Sequence, residues 1–376
     1  MKKLILPLFI ASLFLLANCK TEQDLSQSGG QKVVIGYVPG FRGQPLDEKL
    51  IDAKKLTHIN YAFVNVKDSL AWLTNIATDS INFRRLNYLK KDNPDLRILI
   101  SLGGWGWSDY FSDAVLTPGS RKKFAQSNAD IVERYDLDGV DIDWEYPGFR
   151  GQDNVFRPED RQNFTLMFKE LRAALDELSE KTGKRYQLTT AVPDFKAFLD
   201  RTDMGEVATY LDYVNLMTYD FYVGAGDSVG HHSNLYPYGD ATNRSGDRGV
   251  ADYIAAGVPA EKLVLGIPFY GRGWVVSTTE NNGLNRFADS VIRVGGYTDI
   301  KDSISQLPGF KRYWDDKAKA PYLFNEEKRQ LIVYDDEESV AIKCQYVKDK
   351  GLGGVMFWQY ESDPRLYLLN TIDKNF

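Results

Sequence analysis

Residues 137–145 read LDGVDIDWE, and within them Asp141, Asp143 and Glu145 stand at every second position. Side chains of an extended strand alternate between its two faces, so these three carboxylates project to one side while Ile142 and Trp144 point to the other. An acidic face serves poorly as structural core. Desolvation and like-charge repulsion both favour the protonated form of a buried carboxyl, so such a row must share protons among its members. It reads as a proton relay, with Glu145 at the exposed end as the natural acid. Two blander readings stay open at this point: an acidic strand end bound by Arg or Lys, and a divalent-cation site, which has no downstream ligand cluster to support it.

Seven other stretches have the same short, mostly apolar, β-branched or aromatic character. They are VVIGYV (33–38), THINYAFVNV (57–66), LRILISLGG (96–104), YQLTTAVP (186–193), LDYVNLMTYD (211–220), KLVLGIPFYG (262–271) and LGGVMFWQY (352–360). Several of the gaps are helical in pattern, most clearly SRKKFAQSNADIVERY and PEDRQNFTLMFKELRAALDELSEKTG. The second opens on Pro158-Glu159-Asp160 and closes at Gly183, as start and stop signals require. Strands apolar on both faces and separated by helices make a parallel sheet, and eight such units predict an α/β fold, the closed (β/α)8 TIM barrel, over an open doubly wound sheet. The carboxylate row would then face the barrel interior and its carboxyl-end rim. Between the seventh and eighth strands the chain is far longer than one crossover helix needs, so residues 275–337 are expected to form a small α+β insertion domain. The barrel would comprise 32–274 and 338–376.

Composition narrows the function. With 43% apolar and 26% charged residues in 376, the chain is globular, and a formal charge of −6 without basic clusters argues against a nucleic-acid partner. Tyr and Trp are abundant, 22 and 7, with flat apolar faces and polar edges that suit stacking on sugar rings, although most aromatics belong to cores. His58, His231, His232, Cys19 and Cys344 offer no metal-ligand spacing, so neither metal nor cofactor is expected. The His231-His232 pair could contribute to catalysis, but in a stretch rich in Gly, Ser, Asn and Tyr it is read as holding a loop, and Cys344 is read as a buried helical thiol.

The first residues read as an address. Lys2 and Lys3 precede an apolar stretch from Leu4 to Ala17, the order of a secretory signal over residues 1–18 and too short for a spanning helix. Cys19 after Leu16-Ala17-Asn18 resembles the lipidated Cys of a bacterial lipoprotein, with Asn18 departing from the usual small residue. Residues 19–31 would be the lipidated tether. The expected product is exported, contacts membrane only through its lipid anchor at the cell surface or in the periplasm, and is monomeric; plain secretion is the alternative.

On these residues the chain resembles glycoside hydrolase family 18, the chitinase family. DGVDIDWE fits its D-x-x-D-x-D-x-E pattern through Asp138, Asp141, Asp143 and Glu145, and SLGG (101–104) fits its third-strand motif. NYAF (60–63), MTYD (217–220), GHHSNLY (230–236), PFYGRGW (268–274) and GGVMFWQY (353–360) follow in the family's order, and the long insertion is similar to that of its deep-cleft branch. The resemblance implies cleavage of β-1,4 bonds between N-acetylglucosamine units of chitin or chitooligosaccharides, with retention and with the substrate's own acetamido group as nucleophile. It implies Glu145 as acid, Asp143 as the group that turns toward the acetamido N–H, Asp141 as its proton-sharing partner, and Tyr219 as orienter of the acetamido oxygen. It further implies a cleft lined by Tyr37, Phe63, Gly104, Trp105, Met217, Asp220, Arg272 and Trp358, with Trp358 as floor and Ser101 and Asp138 as supports. Gly103 and Gly104 read as positions where side chains would collide. A non-catalytic chitinase-like lectin, and an endo-acting hydrolase of N-glycans, are the alternatives.

Overall fold

The computed structural model describes residues 32–238 and 244–376, which form one compact unit; the expected export signal, Cys19 and the expected tether lie outside the described residues. Eight strands carry the barrel: β1 (Val33–Pro39), β2 (His58–Lys67), β3 (Arg97–Gly103), β4 (Gly139–Asp143), β5 (Gln187–Pro193), β6 (Tyr213–Met217), β7 (Leu263–Pro268) and β8 (Gly354–Trp358). Each pairs in parallel with the next. β8 returns to β1 in the register Val33↔Gly354 to Gly36↔Phe357, which closes the sheet and makes the fold the expected (β/α)8 barrel.

Alternation along each strand sorts the side chains into two cores. Ile98, Ile100, Val140 and Ile142 face outward and pack with Phe83, Phe124, Phe164 and Phe168 of the surrounding helices. Ile35, Tyr37, Ala62, Ala191, Val264 and Met356 fill the interior as a separate cluster. The helices begin and stop where local chemistry requires. Pro118–Arg134 starts with a capping box between Thr117 and Ser120, and Asp160–Thr182 ends on Gly183 at φ 72°, a left-handed conformation that costs glycine little.

Between β7 and β8 the chain builds most of a second sheet. Its order is Phe310–Asp315, Ala320–Asn325, Gln330–Val333, Arg272–Val276, Arg286–Ile292 and, from the β6–β7 connection, Ser228–Val229. Trp274, Val276, Phe324, Leu331 and Val333 give this sheet an apolar core of its own. Because its strand Arg272–Val276 follows β7 after a few residues, the sheet stands at the carboxyl end of the barrel. No helix among the described residues is long and apolar enough to cross a membrane.

Candidate active site

The acidic strand β4 delivers its carboxylates at three depths. Asp141 is deepest and fully buried. It accepts hydrogen bonds from Tyr37 Oη at 2.9 Å, Ser101 Oγ at 2.7 Å, Thr189 Oγ1 at 2.6 Å and Asn215 Nδ2 at 3.2 Å. Burial pushes its pKa up and these four donors pull it back. Asp143, the next inward residue, has a buried Oδ1 with no hydrogen-bond partner among the described residues. Burial, then the charges of Glu145 and Asp141, hold its pKa well above the usual carboxylate range. The charge of Asp141 is one of the influences acting on Asp143, so the two carboxyls are electrostatically linked along the strand.

Glu145 sits above them. Its backbone N–H donates to Ser108 Oγ at 2.9 Å, and the Ser108 hydroxyl in turn lies 2.9 Å from the Gly104 carbonyl. Burial pushes its pKa up to about 7; a hydrogen bond from Tyr146 works against that and the Asp220 charge adds to it. A carboxyl balanced there can give and retake a proton near neutral pH.

Around the acids the strand ends supply aromatic walls. Trp358, closing β8, lies nearly parallel to Phe63 with centroids 5.4 Å apart and to Phe41 at 6.5 Å, while Tyr37 leans on it at 5.8 Å. Tyr219 and Met217 pack against the interior cluster, with Tyr219 Oη 3.9 Å from Met356 Sδ. Trp105 is half exposed and meets Tyr146 edge-on at 6.4 Å. The two rim glycines are required by space and backbone alike. At φ 101° and 71°, a Cβ on Gly103 would stand 2.3 Å from the Asp143 carbonyl, and one on Gly104 would stand 2.5 Å from the Phe63 ring. Gly104 thus shapes the cleft by admitting Phe63.

Asp220 follows β6 at φ 58°, and Arg272 grips both its oxygens, Nε to Oδ1 at 2.8 Å and Nη2 to Oδ2 at 2.6 Å. Burial would raise the Asp220 pKa, but hydrogen bonds from His232 and Arg272 outweigh it and hold the group well below the ordinary range. The ionised carboxylate beside Glu145 is thereby tied down at both oxygens.

One expected support stands elsewhere. Asp138 precedes β4 at the amino end of the barrel, where it accepts the Ile98 N–H at 2.8 Å and pairs with Lys90 at 2.7 Å. It braces that end of the barrel and does not touch the site. Conversely, Thr189, Asn215, Ser108 and Tyr146 belong to the site and went unnoticed in the sequence, while His232, read there as holding a loop, meets Asp220. For Thr189 and Asn215 a signal existed: each is a polar residue at an inward register of an otherwise apolar strand.

Among the described residues no cluster of three or more His, Cys, Asp or Glu could hold a metal ion. The arrangement provides one proton donor at the cleft, a buried carboxyl of raised pKa behind it and a restrained anion beside it.

Residues 33–363 match the family model described as glycosyl hydrolases family 18. Chitinase A1 of Niallia circulans is 35% identical over 90% of this chain and 58% of its own length, so this chain spans less than two thirds of that relative. Chitinase B of Serratia marcescens is 31% identical, covering 86% of this chain and 77% of that one. The solved glycoside hydrolase family 18 N-acetylglucosaminidase from Paenibacillus barengoltzii superposes with a TM-score of 0.85 at 40% identity, over 92% of this chain and all of that chain.

Proposed function

Because the chain belongs to glycosyl hydrolases family 18, we propose that it is a chitinase, cleaving β-1,4 bonds between N-acetylglucosamine units with retention of anomeric configuration. The observation that carries this reading is the pairing of one poised acid, Glu145 at about 7, with a neighbouring carboxylate, Asp220, that Arg272 clamps at both oxygens. Glu145 protonates the glycosidic oxygen as that bond to the anomeric carbon breaks, and the acetamido oxygen of the same sugar attacks the carbon, giving an oxazolinium ion. Water, deprotonated by Glu145, then opens the ion and restores the acid. Asp143 turns toward the acetamido N–H and stabilises the positive charge. Tyr219 orients the acetamido oxygen, a proximity effect, and Trp358 stacks under the reacting sugar.

Glu145, Asp143 and Tyr219 are all present, which speaks against a lectin without turnover. A walled cleft suits an unbranched chain better than a branched N-glycan. Likeness to the Paenibacillus N-acetylglucosaminidase over that protein's whole length favours a second reading, release of single N-acetylglucosamine units from chain ends. The basic, apolar and Cys19-bearing start of the sequence supports export and lipid anchoring.

Proton NMR of the first product from an N-acetylglucosamine hexamer tests the mechanism. A β-anomer is expected first. An α-anomer first means inversion by direct water attack and overturns the substrate-assisted reading. Mass spectrometry of the same digest separates end release from internal cleavage.

A further inference from the structure

The adjacent histidines of GHHSNLY do different work. His231 turns toward the insertion sheet, its Nε2 3.3 Å from Asp315 Oδ2 and its ring against Tyr238 and Tyr322. His232 is fully buried and turns the other way, its Nδ1 3.5 Å from Asp220 Oδ1 and its ring edge-on to Tyr270 at 5.5 Å. Asp220 is the anion beside Glu145. We propose that His232 is a positioning residue of the active site, which donates from Nδ1 to Asp220 and, with Arg272, fixes the orientation and charge of that carboxylate.

The tautomer follows from the surroundings. His232 Nε2 is buried with no partner among the described residues, and a proton there would be an orphaned donor, whereas a bare nitrogen is the cheaper atom to leave unpaired. The proton therefore belongs on Nδ1, toward Asp220. Four groups face the ring: Asp220 from the end of β6, Tyr270 from the end of β7, Arg272 from the insertion sheet, and Asp335, whose charge is taken up by Lys343 at 2.6 Å. Burial lowers the His232 pKa, with Asp220 and Asp335 pulling back, so the ring is neutral near pH 7 and leaves Asp220 its full charge. That charge is one of the influences raising Glu145. His232 thus reaches the acid through Asp220 without touching substrate.

The inference rests on the proposed function only in placing Asp220 in the working site. Removing the Nδ1 donor should let the Asp220 carboxylate turn and weaken its hold on the Glu145 proton. In His232→Leu, the alkaline limb of kcat/KM on the N-acetylglucosamine hexamer, set by Glu145, is expected to move to lower pH, with kcat falling more than KM changes. His232→Asn, which keeps an N–H donor, is expected to restore the limb. If His232→Leu lowers Tm and leaves the limb in place, the residue only holds its loop and the proposal is overturned. A second measurement needs no turnover: 15N NMR of the intact protein is expected to show His232 neutral with the proton on Nδ1 at pH 7 to 8. The Nε2–H tautomer or a charged ring overturns the proposal, even if the protein hydrolyses no chitooligosaccharide and the proposed function itself fails. The same spectrum decides the matter should the Leu variant not fold.

Discussion

Thr189 donates its hydroxyl to Asp141 Oδ1 at 2.6 Å, the shortest of the four hydrogen bonds that anchor the deepest carboxyl of the row. Both side chains are fully buried. Val has nearly the same shape and no hydroxyl, so Thr189→Val isolates the bond. A hydrogen bond to a charged group contributes about 1.5–3 kcal/mol. The variant is expected to lose about that much stability in urea unfolding and to turn over more slowly, because Asp141 then takes up a proton more readily. Unchanged stability and rate would show that Asp141 does not need this donor.

Replacing Glu145 with Gln keeps shape and removes the transferable proton. Turnover is expected to fall by at least ~10²–10⁴ with oligosaccharide binding retained. In the native enzyme Glu145 must be protonated to act, so kcat/KM should decline as pH rises through about 7. The stability consequence has a definite sign. A raised carboxyl pKa means the folded state holds a proton that the unfolded chain releases near 4.5, so stability is lost as pH climbs from there to about 7. Glu145→Gln escapes that loss, and its Tm relative to native protein should rise across this window. Thermal unfolding at pH 5 and pH 8 checks it.

Asp143→Asn probes the carboxyl with an unpartnered buried oxygen. Its help is needed mainly as positive charge develops, so kcat should fall by ten-fold or more with little change in KM, on the order of a lost charge-assisted hydrogen bond. Equal weakening of substrate binding, measured by calorimetry on an inactive Glu145→Gln background, would assign Asp143 to ground-state binding instead.

Lys343 and Asp335 form a buried ion pair, 3% and 1% exposed at 2.6 Å, beneath the segment carrying His232. Lys343→Met leaves Asp335 charged and without its cation, at a cost of about 3–5 kcal/mol. Chemical denaturation should show a loss of that size. A loss under 1 kcal/mol would mean that Ser233 and Ser339, which also donate to Asp335, suffice.

Cys19→Ser is expected to release the protein from membranes or block its maturation. Fractionation followed by intact-mass analysis of the native protein checks this. Absence of acyl chains on Cys19 would indicate a plain secreted form.

The residue alternation in LDGVDIDWE, with seven apolar companions and helical spacers, was sufficient by itself to determine the barrel, its strand order and the inward row of acids. Period-two patterning is a local property, and a chain apolar on both strand faces has few ways to be buried. The roles of the acids were not local. Asp141 and Asp143 sit two residues apart in identical company, yet one is held by four donors and the other has an oxygen facing none. Those donors come from β1, β3, β5 and β6, up to 104 residues away in sequence. Asp138 shares the acidic motif and lies at the wrong end of the strand, a matter of strand direction that the motif's spacing does not encode. His232 differs from His231 only in the way its side chain turns, and packing between the β6–β7 connection and the insertion sheet decides which one meets Asp220. Pairwise distances between distant segments arise only when the barrel closes, and hydrogen bonding and desolvation, which set each carboxyl's charge, depend on those distances.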